Sequence, residues 1–192
     1  IKDFAGVCFL NTTGEIPFSD VQKKALLNFV SSGHGFIGIH SATDTLYQWS
    51  GYGDIIGGHF DQHPWTADMT ETLRVEEKNP ITAPFPSEFQ MTEEIYQMKA
   101  PYDREKCDVL ISLDTAKTGV NRPGIHRTDG DFPVCWIKTY GDKGRVFYTS
   151  LGHNETVWQR ADYQRHLLAG IRWALGDYDL EIKPHPLPSG EK

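Results

Sequence analysis

Between Gly33 and Thr45 the chain reads Gly-His-Gly-Phe-Ile-Gly-Ile-His-Ser-Ala-Thr-Asp-Thr, and no other stretch restricts the fold as much. The apolar run at 36–39 is bracketed by glycines and stops abruptly at His40, after which small and polar residues follow at once. A short continuous apolar run of this kind reads as a strand buried on both faces, ending at the carboxyl edge of a parallel sheet and turning into a helix. Open α/β sheets bind ligands outside that edge. His40 is therefore the first candidate for chemistry.

The flanking residues extend this strand into a β-α-β unit. Residues 6–10 read as a buried strand closed by the loop Asn11-Thr12-Thr13-Gly14. Ser19 with Gln22 three positions later is a capping-box pattern, and Val21, Ala25, Leu26, Phe29 and Val30 share a face of the helix it starts. Gly33 suits the position just past that helix. Further on, a short helix is expected over 45–49, strands over 71–77, 108–113, 134–140 and 145–150, and a helix over 162–175 with Leu167, Leu168, Ile171 and Ala174 inward. Residues 93–96 read equally as a short strand or a helical turn. Residues 141–144 form a hairpin turn and 117–131 a surface loop. The alternation predicts one α/β domain over 1–180, with 181–192 as an extended, proline-bearing tail.

Composition narrows the function. A chain of 192 residues supports one sizeable core, and its hydrophobic fraction of 39% is ordinary for a globular protein. A net charge of -7 opposes a nucleic-acid partner, because phosphate contacts need a basic face. No apolar run of about 18 residues predicts a membrane span, and no signal-peptide pattern follows Ile1. A soluble protein is expected; cytoplasmic and periplasmic or secreted placements fit equally. Cys8, Cys107 and Cys135 are too scattered for a disulfide framework or a zinc knuckle, and Cys8 and Cys135 read as small buried hydrophobes in strands.

Four separated motifs carry a resemblance: Gly-Ile-His-Ser-Ala-Thr-Asp-Thr, Gly-Gly-His-Phe-x-x-His-Pro, Gly-Arg-Val-Phe-Tyr-Thr-Ser-Leu-Gly-His and Gly-Ile-Arg-Trp-Ala-Leu-Gly. In this order they resemble the trehalose-utilisation (ThuA-like) family, from about Asp3 to Tyr178. The resemblance implies a class I glutamine amidotransferase-like fold, a flavodoxin-like three-layer α/β/α sandwich with a mostly parallel sheet. Members of the family begin with a further strand-helix-strand unit ahead of the position of Gly6, so a sheet without those strands is expected here. Amidotransferases place a cysteine where this chain has His40. Imidazole cannot replace a thiolate nucleophile, so amidotransferase activity is not expected.

Four histidines, His40, His59, His63 and His153, lie inside these motifs. Three imidazoles suffice to hold a divalent metal such as zinc with a position left open, and all four are candidate ligands. Any one of them also reads as an ordinary hydrogen-bonded histidine of the fold. His153-Asn154-Glu155 stands where amidotransferases carry His-Pro-Glu, which implies His153 as a base oriented by Glu155. Glu94 resembles an acidic-aromatic motif of the family and reads as a general acid/base or as an exposed charge, which is also the reading of Glu93. Asp44 reads as a helix cap, a ligand or an acceptor for substrate hydroxyls. Trp65, placed in a loop, and Tyr96 are the aromatic candidates for a sugar pocket, while Trp136 and Trp173 read as core.

The family's association with trehalose implies a small sugar substrate and a hydrolase or lyase acting on a glycoside or keto-sugar, catalysed by His40, His153, Glu155 and Glu94. No nucleotide cofactor is expected, and a homo-oligomer is compatible. The alternative is a sugar-binding or interaction module without catalysis.

Overall fold

The computed structural model describes residues 1–187. Strand β1 (Gly6–Leu10), helix α1 (Asp20–Ser31) and strand β2 (Gly35–Ile39) form the expected β-α-β unit, with β1 and β2 parallel in register Gly6 to Gly35. Ser19 Oγ accepts from the Gln22 amide at 3.3 Å, and Gln22 Oε1 accepts from the Ser19 amide at 2.8 Å, so the capping box is complete. Leu26, Phe29 and Val30 face the core. Val21 is 79% exposed and Ala25 also lies outward, contrary to the expected stripe. The reason is position: β1 ends the sheet, and Ala25 lines a surface groove beside Val7 of that strand. Cys8 on β1 is exposed for the same reason, which corrects its reading as a buried hydrophobe.

A 3₁₀ turn at His40–Asp44 follows β2, and helix α2 spans Ser50–Ile56, in place of the helix expected over 45–49. The remaining elements are β3 (His59–Trp65), β4 (Thr70–Val75), β5 (Glu88–Thr92), β6 (Ile95–Lys99), β7 (Asp108–Leu113), β8 (Pro133–Tyr140), β9 (Gly144–Thr149), α3 (Glu155–Trp158) and α4 (Ala161–Ala174). The stretch around Trp65 is thus a strand, not a loop. The alternative left open at 93–96 resolves as the start of strand β6.

Seven strands form one sheet in the order β1-β2-β9-β8-β7-β4-β5, while β3 and β6 pair as a separate antiparallel ribbon. The α/β class is as expected, but the sheet is mixed. Only β1–β2 and β2–β9 are parallel, and the other pairings are antiparallel, which corrects the mostly parallel expectation. Tight connections such as 141–143 permit only antiparallel neighbours, whereas parallel ones need a crossover like α1.

Alternation along the central strands builds the layers. Ile37, Ile39 and Phe147 face α4, where they meet Leu167 and Trp173. Phe36, Val146 and Tyr148 face the other way, against Leu26 of α1 and Ile55 of α2. On α4, Tyr163, His166, Gly170 and Trp173 point inward, but Leu168 is 56% exposed, against the expectation. Gly170 permits the close approach: a Cβ there would lie 2.3 Å from the ring of Phe147. Past α4 the chain runs back over the core, with Tyr178, Leu180 and Ile182 packed against it. There the Lys183 amide donates to Asp108 at 2.8 Å. The last part of the expected tail, 188–192, lies outside the described residues. Among the described residues no helix is long and apolar enough to cross a membrane.

Candidate functional site

His40 closes β2 with φ of 51°, a left-handed backbone that non-glycine residues adopt at a cost of about 1–3 kcal/mol. Its surroundings hold it there. The His40 carbonyl accepts from Tyr148 Oη at 2.8 Å, and Tyr148 Oη in turn accepts from Thr43 Oγ1 at 2.9 Å. His40 Nδ1 lies 2.7 Å from the carbonyl of Ser150, just past β9. A carbonyl only accepts, so Nδ1 carries the proton and Nε2 keeps its lone pair, the arrangement of a metal-ligating imidazole. Burial lowers the His40 pKa, opposed by the Ser150 carbonyl and Glu94, which favours the neutral ring.

Two segments bring three side chains to that nitrogen. Nε2 lies 2.8 Å from Tyr96 Oη on β6, 3.2 Å from His153 Nδ1 beyond β9, and 3.5 Å from Glu94 Oε2 ahead of β6. His153 Nδ1 is 3.4 Å from the same Glu94 oxygen. Among the described residues His40, Glu94 and His153 are the group placed to hold a metal ion. Their ligand atoms form a triangle with edges of 3.2, 3.4 and 3.5 Å. Tetrahedral zinc with bonds of about 2.0–2.1 Å spaces its ligand atoms about 3.3–3.4 Å apart, so the donor set fits in type and spacing. The second Glu94 oxygen lies 3.3 Å from His63 Nδ1. Burial raises the Tyr96 pKa far above the usual phenol range, so its hydroxyl stays a donor. The group opens into a cleft of about 450 Å³ lined also by Asn11, Ser41, Asp44, Phe60 and His63.

The family model described as ThuA, trehalose utilisation, matches residues 1–174. The chain belongs to the ThuA family. A ThuA-like protein from Bacteroides uniformis ATCC 8492 shares the fold at a TM-score of 0.72 and 23% identity, over 90% of this chain and 70% of that one. One from Parabacteroides merdae ATCC 43184 matches at 0.70 and 19% identity, over 92% and 72%. The β-galactosidase of Bacillus circulans sp. alkalophilus contains a similar fold, with a TM-score of 0.60 and 12% identity over 95% of this chain and 24% of the galactosidase. No curated protein matches the chain.

Other residues singled out in this ThuA sequence separate into groups. His63 is half-exposed in the cleft and stacks on Phe60, beside the triangle rather than in it. His59 stands apart: its Nδ1 is 3.3 Å from the Thr43 carbonyl and its ring lies between Tyr47 and Tyr52. Burial lowers its pKa, as expected of a neutral packing histidine. Asp44 lines the cleft but caps no helix; it accepts from Tyr47 Oη at 2.6 Å and from the Thr13 hydroxyl. Tyr96 borders the cleft through its hydroxyl, although its ring is buried.

Trp65 is fully buried, edge-on to Phe132, and does not line the cleft. Its position at the end of β3 turns it into the core, which replaces the pocket role expected of a loop residue. Glu155 starts α3 on the exposed surface, and the carboxylate beside the His153 ring is Glu94. Glu93, read as an exposed charge, is fully buried. It accepts from the amides of Glu94, Gly152, His153 and Asn154 at 2.9, 3.3, 3.1 and 3.2 Å. Burial raises its pKa, and these amide donors oppose that rise. Nothing local in the sequence marks Glu93, because most of its partners are backbone groups distant in the chain.

Proposed function

We propose that this ThuA protein is an enzyme of carbohydrate metabolism, a hydrolase or lyase acting on a glycoside or keto-sugar at a centre formed by His40, Glu94 and His153. The observation that carries the reading is the triangle of donor atoms with edges of 3.2, 3.4 and 3.5 Å, open to a cleft of about 450 Å³. That volume suits a small polar ligand. The trehalose-utilisation family supports a sugar as the ligand class.

His40, Glu94 and His153 would hold a divalent cation such as zinc, which when bound would supply positive charge to polarise a substrate oxygen. The chain's own groups provide the rest. His40 is kept neutral by burial and is aimed by the Ser150 carbonyl. His63, half-exposed and 3.3 Å from the outer oxygen of Glu94, takes or returns a proton at the substrate side. Asn11 and Asp44 meet sugar hydroxyls along the cleft, and Phe60 offers an apolar face to the ring.

Protein purified without a histidine tag is titrated with Zn²⁺, then assayed on glycosides and their keto forms. One equivalent is expected for the wild type and none for His40→Ala or His153→Ala, with turnover lost in both. Wild-type turnover in either variant would sink the proposal. Sugar binding without any turnover would instead favour a binding module.

A further inference from the structure

We infer that Glu93 is a positioning residue of this centre, a buried carboxylate that locks the Glu94 and His153 ligands into register; the inference rests on the metal-binding reading above. The two ligands come from separate parts of the fold. Glu94 lies in the link between β5, the far edge strand of the main sheet, and β6 of the two-stranded ribbon, whereas His153 follows β9. In the sheet β9 and β5 are separated by β8, β7 and β4, and among the described residues no strand pairing joins ribbon and sheet. A triangle of ligand atoms shared across that distance needs a tie that fixes one backbone against the other.

Glu93 has the geometry of that tie. Its Oε1 accepts the Glu94 amide at 2.9 Å and the His153 amide at 3.1 Å, so one oxygen holds the backbones of both ligands. Its Oε2 accepts the amides on either side of His153, Gly152 at 3.3 Å and Asn154 at 3.2 Å. Three successive amides curled toward one point form an anion-binding concavity, and Glu93 fills it from within the protein. Asn154 adds a second tie from the same loop, donating to the carbonyls of Ala67 at 2.6 Å and Thr92 at 3.0 Å. Groups that orient metal ligands from outside characteristically change metal affinity by about 10–100-fold when removed.

Glu93→Gln keeps the shape but turns an NH₂ toward two amide donors, so half of the clamp becomes repulsive. Wild type and variant are titrated with Co²⁺ at a urea concentration of zero, and the visible absorption of the bound ion is recorded. The variant is expected to bind at least ~10-fold more weakly, with an altered band. A role in stability alone would lower the urea midpoint and leave both affinity and spectrum unchanged, and that result would overturn the inference. If Glu93→Gln does not fold, Asn154→Ala decides in its place: weaker binding with a shifted band supports the clamp, and wild-type values overturn it. A wild-type protein that takes up no Co²⁺ overturns the metal reading together with the clamp. Tight wild-type binding with an unaffected variant removes only the role of Glu93.

Discussion

Gly152 joins strand β9 to the candidate ligand His153, and replacing it by alanine tests how closely fold and site are coupled. Its φ of +118° lies where a residue with a Cβ is strained, at about 1–3 kcal/mol. The added Cβ would also stand 2.5 Å from Tyr163 Oη and 3.2 Å from the Trp158 ring. Tyr163 cannot withdraw freely, since it is fully buried and donates to the Leu151 carbonyl at 3.0 Å. Overpacking of this kind costs about 1–3 kcal/mol. Together the two effects predict a loss of about 2–6 kcal/mol, a large share of the ~5–15 kcal/mol that holds a typical domain together. With urea slopes of about 1–3 kcal/mol/M, the midpoint followed by tryptophan fluorescence falls by roughly 0.7 M or more. Adding Tyr163→Phe removes the clashing oxygen, so the double variant recovers the packing part of the loss but not the backbone part. A midpoint within about 0.3 M of wild type, with Co²⁺ affinity unchanged, would refute the reasoning.

Two further predictions follow from buried ionisable groups. His166 is fully buried, between the carbonyl of Ile81 at 2.9 Å and Thr149 Oγ1 at 3.3 Å, and burial pulls its pKa down to about 4. The unfolded chain takes up this proton below pH ~6.5 while the folded chain does not, so stability is intact above that pH and falls by about 3 kcal/mol on the way to pH 4. In urea titrations His166→Gln should show a shallower fall over that window, and an unchanged slope would contradict the assignment. Arg104 pairs with Glu76 at 2.8 and 3.1 Å and with Asp131 at 2.8 Å, all three side chains being buried. Arg104→Met leaves Glu76 with His185 and Arg74, and Asp131 with Tyr102 and Arg127, so it should lower the unfolding free energy by about 3 kcal/mol, the low end for breaking a buried pair; a loss below about 1 kcal/mol would show that the network adds little.

Residues whose roles depend on local chain geometry were legible. The capping pair Ser19 and Gln22 acts within one helical turn, and the strand ending at His40 announces itself by its own apolar run. The motifs around His40 and His153 carry side chains that the fold brings within 3.2 Å of each other, with Glu94 beside them. Errors arose where a distant element decided the environment. Val21 and Cys8 carry apolar patterns, but Cys8 lies on the terminal strand of the sheet and Val21 on the helix beside it. Trp65 reads as a loop residue, yet the pairing of β3 with β6 carries it into the core. His59 lies in the same motif as His63, but its ring is taken up between two tyrosines.

Hydrophobic period and capping are properties of neighbouring residues, so the α/β class, the β-α-β unit and the strand ends at which His40 and His153 stand are legible along the chain. Packing between distant segments places Glu94 rather than Glu155 beside His153, buries Glu93 beneath the backbones of Glu94 and His153, and sets His59 apart. Those outcomes depend on where the ribbon sits against the sheet and on backbone amides far away in the chain. Amides have the same chemistry in every residue, so their convergence on one carboxylate leaves no mark in the order of side chains.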